Sequence, residues 1–232
     1  MWTLPLAMTV VVGALAAVLL RQYRDRKRPY QLAWAISLAT GTAAGIFYLV
    51  CMATSGSELA FRLYYICGAL LIAPLLGLGS MVLLGRRTLL RVYGLVVAVG
   101  GVLGIIGIAT APLDRAQLAA LSGSPGTTMI TGVLPLVAII VLNSLGTIAV
   151  IGVALSSAVG AARRLAPAIF VWGNVLIAVG TLIIAAAGSM ARLGHGAGFW
   201  GTMLVGWVGI YVGVAVMAAH HPAAQPVQPA TA

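Results

Sequence analysis

The sequence predicts an all-α integral membrane protein of seven transmembrane helices, with its N-terminus outside and its C-terminus in the cytoplasm. Three observations carry this. Hydrophobic residues make up 62% of the 232-residue chain and charged residues only 7%, and mean hydropathy is +1.11, values far from those of a soluble domain. Seven apolar runs approach the roughly 20 residues a helix needs to cross a bilayer. The net charge of +10 sits between those runs, where cations attract anionic headgroups and set orientation. That placement excludes nucleic acid as a partner.

The runs are Leu4–Leu20, Leu32–Met52, Leu63–Leu84, Val92–Ala111, Val133–Leu155, Leu165–Gly188 and Phe199–Ala219. No run alternates with period two, so a barrel is not expected. The first run has no basic segment before it and no small-residue cleavage site, and is expected to be a retained helix. Arg21–Gln31, RQYRDRKRPYQ, reads as a polar loop whose cations place it in the cytoplasm. Counting loops alternately from there, Arg21, Arg24, Arg26, Lys27, Arg28, Arg86, Arg87, Arg91, Arg163 and Arg164 fall inside, and Arg62, Arg115 and Arg192 fall outside. Losing one helix anywhere would scramble this asymmetry.

The helix ends read in the same sense. Ser55-Gly56-Ser57-Glu58 looks like a capping box opening the third helix, with Glu58 placed to pair with Arg62. Trp2, Phe199 and Trp200 fall at the outer interface and Tyr30 and Trp34 at the inner one. The longest connection, Pro112–Thr128, combines a short helical piece over Leu113–Leu121 with a Gly-Ser-Pro-Gly turn. From His220 the chain is rich in Pro and Ala, which predicts a disordered cytoplasmic tail over 220–232. Cys51 and Cys67 lie at different depths and read as packing residues.

Residues 1–219 form the membrane domain, and it contains signs of an internal repeat. Leu4-Pro5-Leu6 is matched by Leu134-Pro135-Leu136; Pro29 and Trp34 with Gly41-Thr42 are matched by Pro167 and Trp172 with Gly180-Thr181. Two readings stand: parallel three-helix units 4–84 and 133–219 joined by helix 92–111, or chance recurrence in an apolar chain. The three-one-three layout resembles that of the SWEET sugar transporters, the KDEL receptors and the microbial rhodopsins. It departs from the first two in lacking a Pro-Gln dipeptide in the repeat helices. It departs from the last in lacking a lysine in Phe199–Ala219 and an acid in Leu63–Leu84, which excludes a covalently bound retinal.

Every Asp, Glu, Lys, Arg and His falls in a loop or at a helix end. Intramembrane ionisable groups mark proton relays and ion paths, so this pattern argues against a pump, a voltage sensor or a charged pore. His195, His220 and His221 offer no haem or metal set, and no cofactor is expected. Ser and Thr in the helices have no embedded base, so an enzyme is not expected.

What remains is two amides, some aromatic residues and a proline. Asn143 and Asn174 lie within apolar runs, where they must find partners. Either they contact a neutral polar solute in a midplane cavity walled by Trp172, Trp207 and Tyr211, or they hold helices together at about 0.6–2 kcal/mol each. Pro74 should kink the third helix and, with Gly77 and Gly79, forms the candidate hinge. Gly41-x3-Gly45, Gly100-x3-Gly104 and Gly209-x3-Gly213 have helix-packing spacing, either within the bundle or against a second chain. The expectation is a multi-pass cell-membrane protein, a small transporter or permease for an uncharged or weakly polar solute. The alternative is a non-catalytic subunit or sensor acting through another membrane protein. The expected partners are the lipid bilayer, a small neutral solute, and a membrane-protein partner or a second copy of the chain.

Overall fold

The computed structural model describes residues 2–121 and 123–220, and the tail expected over 220–232 lies outside the described residues from 221 onward. It contains seven helices long and apolar enough to cross a membrane: Thr3–Arg26, Pro29–Ala53, Glu58–Leu84, Arg87–Thr110, Val133–Arg163, Ala168–Arg192 and Phe199–Ala219. These are called spans one to seven. They fit a multi-pass membrane protein. A short eighth helix, Arg115–Ala119, lies in the longest connection, and no strand longer than a single bridge is present among the described residues.

Several ends differ from the sequence reading. Arg21–Gln31 is mostly helix, not loop: span one continues to Arg26, only Lys27 and Arg28 form the turn, and span two starts at Pro29. Cations in a helix's last turn complement its dipole and can extend their stems along the apolar surface, so charge does not end the helix. Lys27 ends it by turning left-handed, at φ 52°, and Pro29 takes the first helical position, where its missing N–H costs nothing. The cap of span three is Ser57, whose hydroxyl accepts from the Ala60 amide at 3.4 Å, so the box expected from Ser55 is shifted. The helical piece in the long connection is Arg115–Ala119, shorter than Leu113–Leu121, because Asp114 caps it by accepting from the Gln117 amide at 2.9 Å.

Spans one, two, three, five, six and seven pack as a closed ring in that order, span seven returning to span one. Span four lies outside the ring against spans three and five. Small residues allow the close approaches. A Cβ on Gly45 would fall on the Thr9 side chain, and one on Gly180 would lie 2.6 Å from the Gly206 carbonyl. Gly100 and Gly104 face Leu142 and the pair Leu70 and Ala138, so span four uses its glycines against its own neighbours. Cys51 and Cys67 are both free thiols.

One end of the bundle, the basic end, holds the turns at 27–28, 85–86 and 164–167. At the opposite end Arg62 ties span three to the end of span four. It pairs with Glu58 at 2.9 Å and donates to the Ile108 and Ala111 carbonyls that close span four. Arg115 reaches the same Glu58 at 3.2 Å.

Candidate functional site

Span three departs most from a regular helix. Residues Tyr65–Leu71 form a π-helical turn, and Pro74 cannot donate to the carbonyl four residues back. Backbone groups released this way need partners in an apolar interior. Neighbouring side chains donate to carbonyls on either side of the proline. Asn143 Nδ2 donates to the Ala69 carbonyl at 2.6 Å, Ser37 Oγ to Ile72 at 2.6 Å, Tyr93 Oη to Pro74 at 3.0 Å and Trp34 Nε1 to Leu76 at 3.0 Å. The candidate hinge is thus gripped by spans two, four and five. Gly77 backs onto Tyr93 and the Gly146 backbone, and Gly79 onto the Trp34 ring.

The segment Gly123–Thr127 crosses the end of the bundle opposite the basic turns. Four ring donors rise to hold it: Trp200 Nε1 bonds the Gly123 carbonyl at 2.8 Å, Tyr48 Oη Ser124 at 2.7 Å, Tyr64 Oη Pro125 at 3.1 Å and Tyr65 Oη Thr127 at 3.1 Å. Thr127 Oγ1 adds a bond to the Ala191 carbonyl at 3.0 Å, anchoring the strap to span six.

Beneath the strap lies a cavity of about 460 Å³, within the size range of small-molecule sites. It is lined by all six ring helices and by Thr127, with nothing from span four. Its deepest lining residues, Val12, Gly41, Leu76, Val150, Thr181 and Ile210, each lie near the middle of their helix. The cavity therefore occupies the half of the ring away from the basic end and stops at the midplane. Most of its walls are apolar. Asn143 uses both amide hydrogens, on Ala69 and, at 2.8 Å, on Ile139, which leaves its Oδ1 as the acceptor it can offer to the cavity.

The opening points sideways. Four lining residues are also exposed on the bundle's surface: Ile140, Ser144 and Ile148 at spacing i, i+4, i+8 on span five, and Ser189 on span six. Ile140 is 49% exposed and Ile148 68%. Spans five and six join at the basic end through residues 164–167, and the gap lies between their opposite halves. Arg192 stands at the edge of this gap. It lines the cavity, is half-buried, and sits beside the Tyr65 hydroxyl.

The residues singled out in the sequence are only partly brought together. Asn143 and Trp207 both line the cavity, and Trp207 is 1% exposed. Asn174 instead lines a second, open groove of about 580 Å³ near the basic end with Arg164 and Phe170. Its amide bonds the Phe170 carbonyl of its own helix at 2.7 Å and approaches the Met217 sulfur at 3.5 Å. Trp172 is 65% exposed, and Tyr211 does not line the cavity. Sequence reasoning missed Arg192, Thr147, Thr181 and Gly188. Thr181, Ile184, Ala185, Gly188 and Arg192 fall on one face of span six, a helical stripe in which all but Ile184 are small or polar. No group of three or more His, Cys, Asp or Glu that could hold a metal ion occurs among the described residues. No family model, no curated protein and no solved structure matches the chain, so its function has to be argued from its own residues.

Proposed function

We infer that this chain is a small membrane transporter whose central cavity binds a weakly polar solute on the side away from the basic end. The basic turns are cytoplasmic on this reading, in keeping with the excess of Lys and Arg there. One observation carries it: six helices of two three-helix segments enclose a solvent-sized cavity that ends at the midplane beside Asn143. Transporters built from parallel repeats place their sites between the repeats at that depth. The ring order, with span four outside, is compatible with such a pair of units. Apolar walls suit the body of the solute, and Asn143 Oδ1, Ser144 and Thr147 can orient a polar group.

Transport requires that the same site face both sides in turn, so accessibility tests it. In a variant lacking Cys51 and Cys67, with the strap loosened by Tyr48→Phe and Tyr64→Phe so that water can reach the cavity past it, Thr147→Cys is exposed to a charged, membrane-impermeant methanethiosulfonate in right-side-out and in inverted vesicles. Reaction from both sides is expected. Reaction from the outer side alone would leave a ligand-binding sensor as the better description, and no reaction from either side would remove the cavity from consideration. The subunit alternative is less favoured because Gly100 and Gly104 are occupied by Leu142, Leu70 and Ala138.

A further inference from the structure

Arg192 places a positive charge where the cavity meets the surface, and among the described residues no carboxylate pairs with it. Its three carboxylates are engaged or distant: Glu58 pairs with Arg62 and Arg115, Asp114 caps the short helix and bonds the Gln117 side chain at 2.8 Å, and Asp25 lies at the basic end. A half-buried guanidinium with no anion among the described residues retains a desolvation cost. Its planar donor fork matches carboxylate or phosphate oxygens two at a time. Below it the stripe from Arg192 to Thr181 covers twelve residues, about 16 Å of helix, along an apolar slot. The strap closes the end of that slot, and the gap between spans five and six leaves its flank open.

We propose that the cavity takes an amphipathic anion, an aliphatic chain bearing one carboxylate or phosphate, which enters sideways between spans five and six and seats its acidic group on Arg192. This rests on the reading above that the cavity is a solute site, and differs from it in giving the solute a charged head in place of a weakly polar one. A polar solute arriving from water would need an open end, and the strap occupies that end with five hydrogen bonds from Trp200, Tyr48, Tyr64, Tyr65 and Thr127. A chain already in the outer leaflet needs only the flank. Its apolar part exchanges lipid for Ile140, Ile148 and Ile184, and its head stays at the depth of the helix end, where Arg192 and Tyr65 stand.

The experiment measures equilibrium binding of tritiated oleate and tritiated oleyl alcohol, which share one chain, to the full-length protein in an uncharged maltoside detergent. Wild type should bind oleate roughly ten- to a hundredfold more tightly than the alcohol, the range for a hydrogen bond to a charged group. Arg192→Gln should bring oleate down to the alcohol's level while leaving the alcohol unchanged, and Arg192→Lys should restore most of the difference. Gly188 lines the slot and a Cβ there meets nothing within 4 Å, so Gly188→Leu fills the space without forcing the backbone and should weaken both probes. Displacement of oleate by dioleoyl phosphatidic acid, and not by dioleoyl phosphatidylcholine, would identify a phospholipid as the source of the anion. Displacement by neither would identify the free acid. Equal wild-type binding of oleate and alcohol, or unchanged oleate binding in Arg192→Gln, would overturn the anion proposal and leave the cavity reading standing. Binding of neither probe, or insensitivity of both to Gly188→Leu, would remove both.

Discussion

Asn143 and Asn174 are the same residue type in similar apolar surroundings, yet the structure gives them different work. Asn143 links span five to the loosened backbone of span three, while the carbonyl bonded by Asn174 is its own helix's, four residues back. An interhelical bond in a membrane bundle contributes about 0.6–2 kcal/mol, and the Ala69 carbonyl would lose its side-chain donor if Asn143 were truncated. Asn143→Leu should therefore lower the unfolding free energy by about 1–2 kcal/mol, and Asn174→Leu by less than about 0.5 kcal/mol, measured by titrating mixed micelles with sodium dodecyl sulfate. Equal losses would mean that Asn143 does not bridge the helices. The amides are legible in the sequence as polar interruptions of apolar runs, but their partners are not. Ala69 lies 74 positions from Asn143, and nothing in Tyr65–Leu71 announces a π-helical turn. Arg192 is legible only as one of the three cations that the loop count assigns to the outside. Its meaning depends on which face of span six turns inward, and that is decided by helices elsewhere in the chain.

At the scale of the element, span three shows how a defect is absorbed. Pro74 is visible at once as a helix breaker, and a kink with hinge-like freedom is the natural expectation. Four side-chain donors instead occupy the carbonyls around it, and Gly146 of span five presses on the same place. A Cβ on Gly146 would lie 2.8 Å from the Pro74 nitrogen. A backbone atom cannot rotate away as a side chain can, so Gly146→Ala should destabilise by about 1–3 kcal/mol, the usual cost of overpacking. Gly152, less than two turns further along span five, has open space around its Cβ position. There the same change should stabilise by about 0.5–1 kcal/mol through helix propensity alone. Thermal unfolding of the two variants checks both signs, and a shift in the same direction for both would contradict the close contact between spans three and five. Small-residue spacing is readable from the chain. Which glycines are pressed by backbone and which face a void is not.

Across the whole molecule, the seven runs and their order follow directly from hydropathy, because each long apolar helix must be accounted for separately. The helix ends move by a few residues where caps and left-handed turns, not charge, decide them. The ring, the outlying span four and the strap arise from contacts between distant segments. The strap's four ring donors come from spans two, three and seven, so its order should report on the packing of the entire ring. Tyr48→Phe combined with Tyr64→Phe removes two of its hydrogen bonds, each worth about 0.5–1.5 kcal/mol. Amide exchange measured by mass spectrometry should then quicken roughly tenfold or more around Gly123–Thr131 and stay unchanged at the basic end. Unaltered exchange would mean that the segment is held by something other than these rings.

The sideways opening also changes which concentration governs occupancy. A ligand that enters through the flank meets the protein in the lipid phase, after partitioning there at about 0.8 kcal/mol per methylene. Its apparent dissociation constant, counted per litre of solution, would rise in proportion to added lipid. Counted as a mole fraction of the bilayer it would stay constant. Lengthening the chain would tighten the first figure and leave the second nearly unmoved until the chain outgrew the slot that ends at Val150 and Ile210. For such a protein, membrane composition would act as the dose.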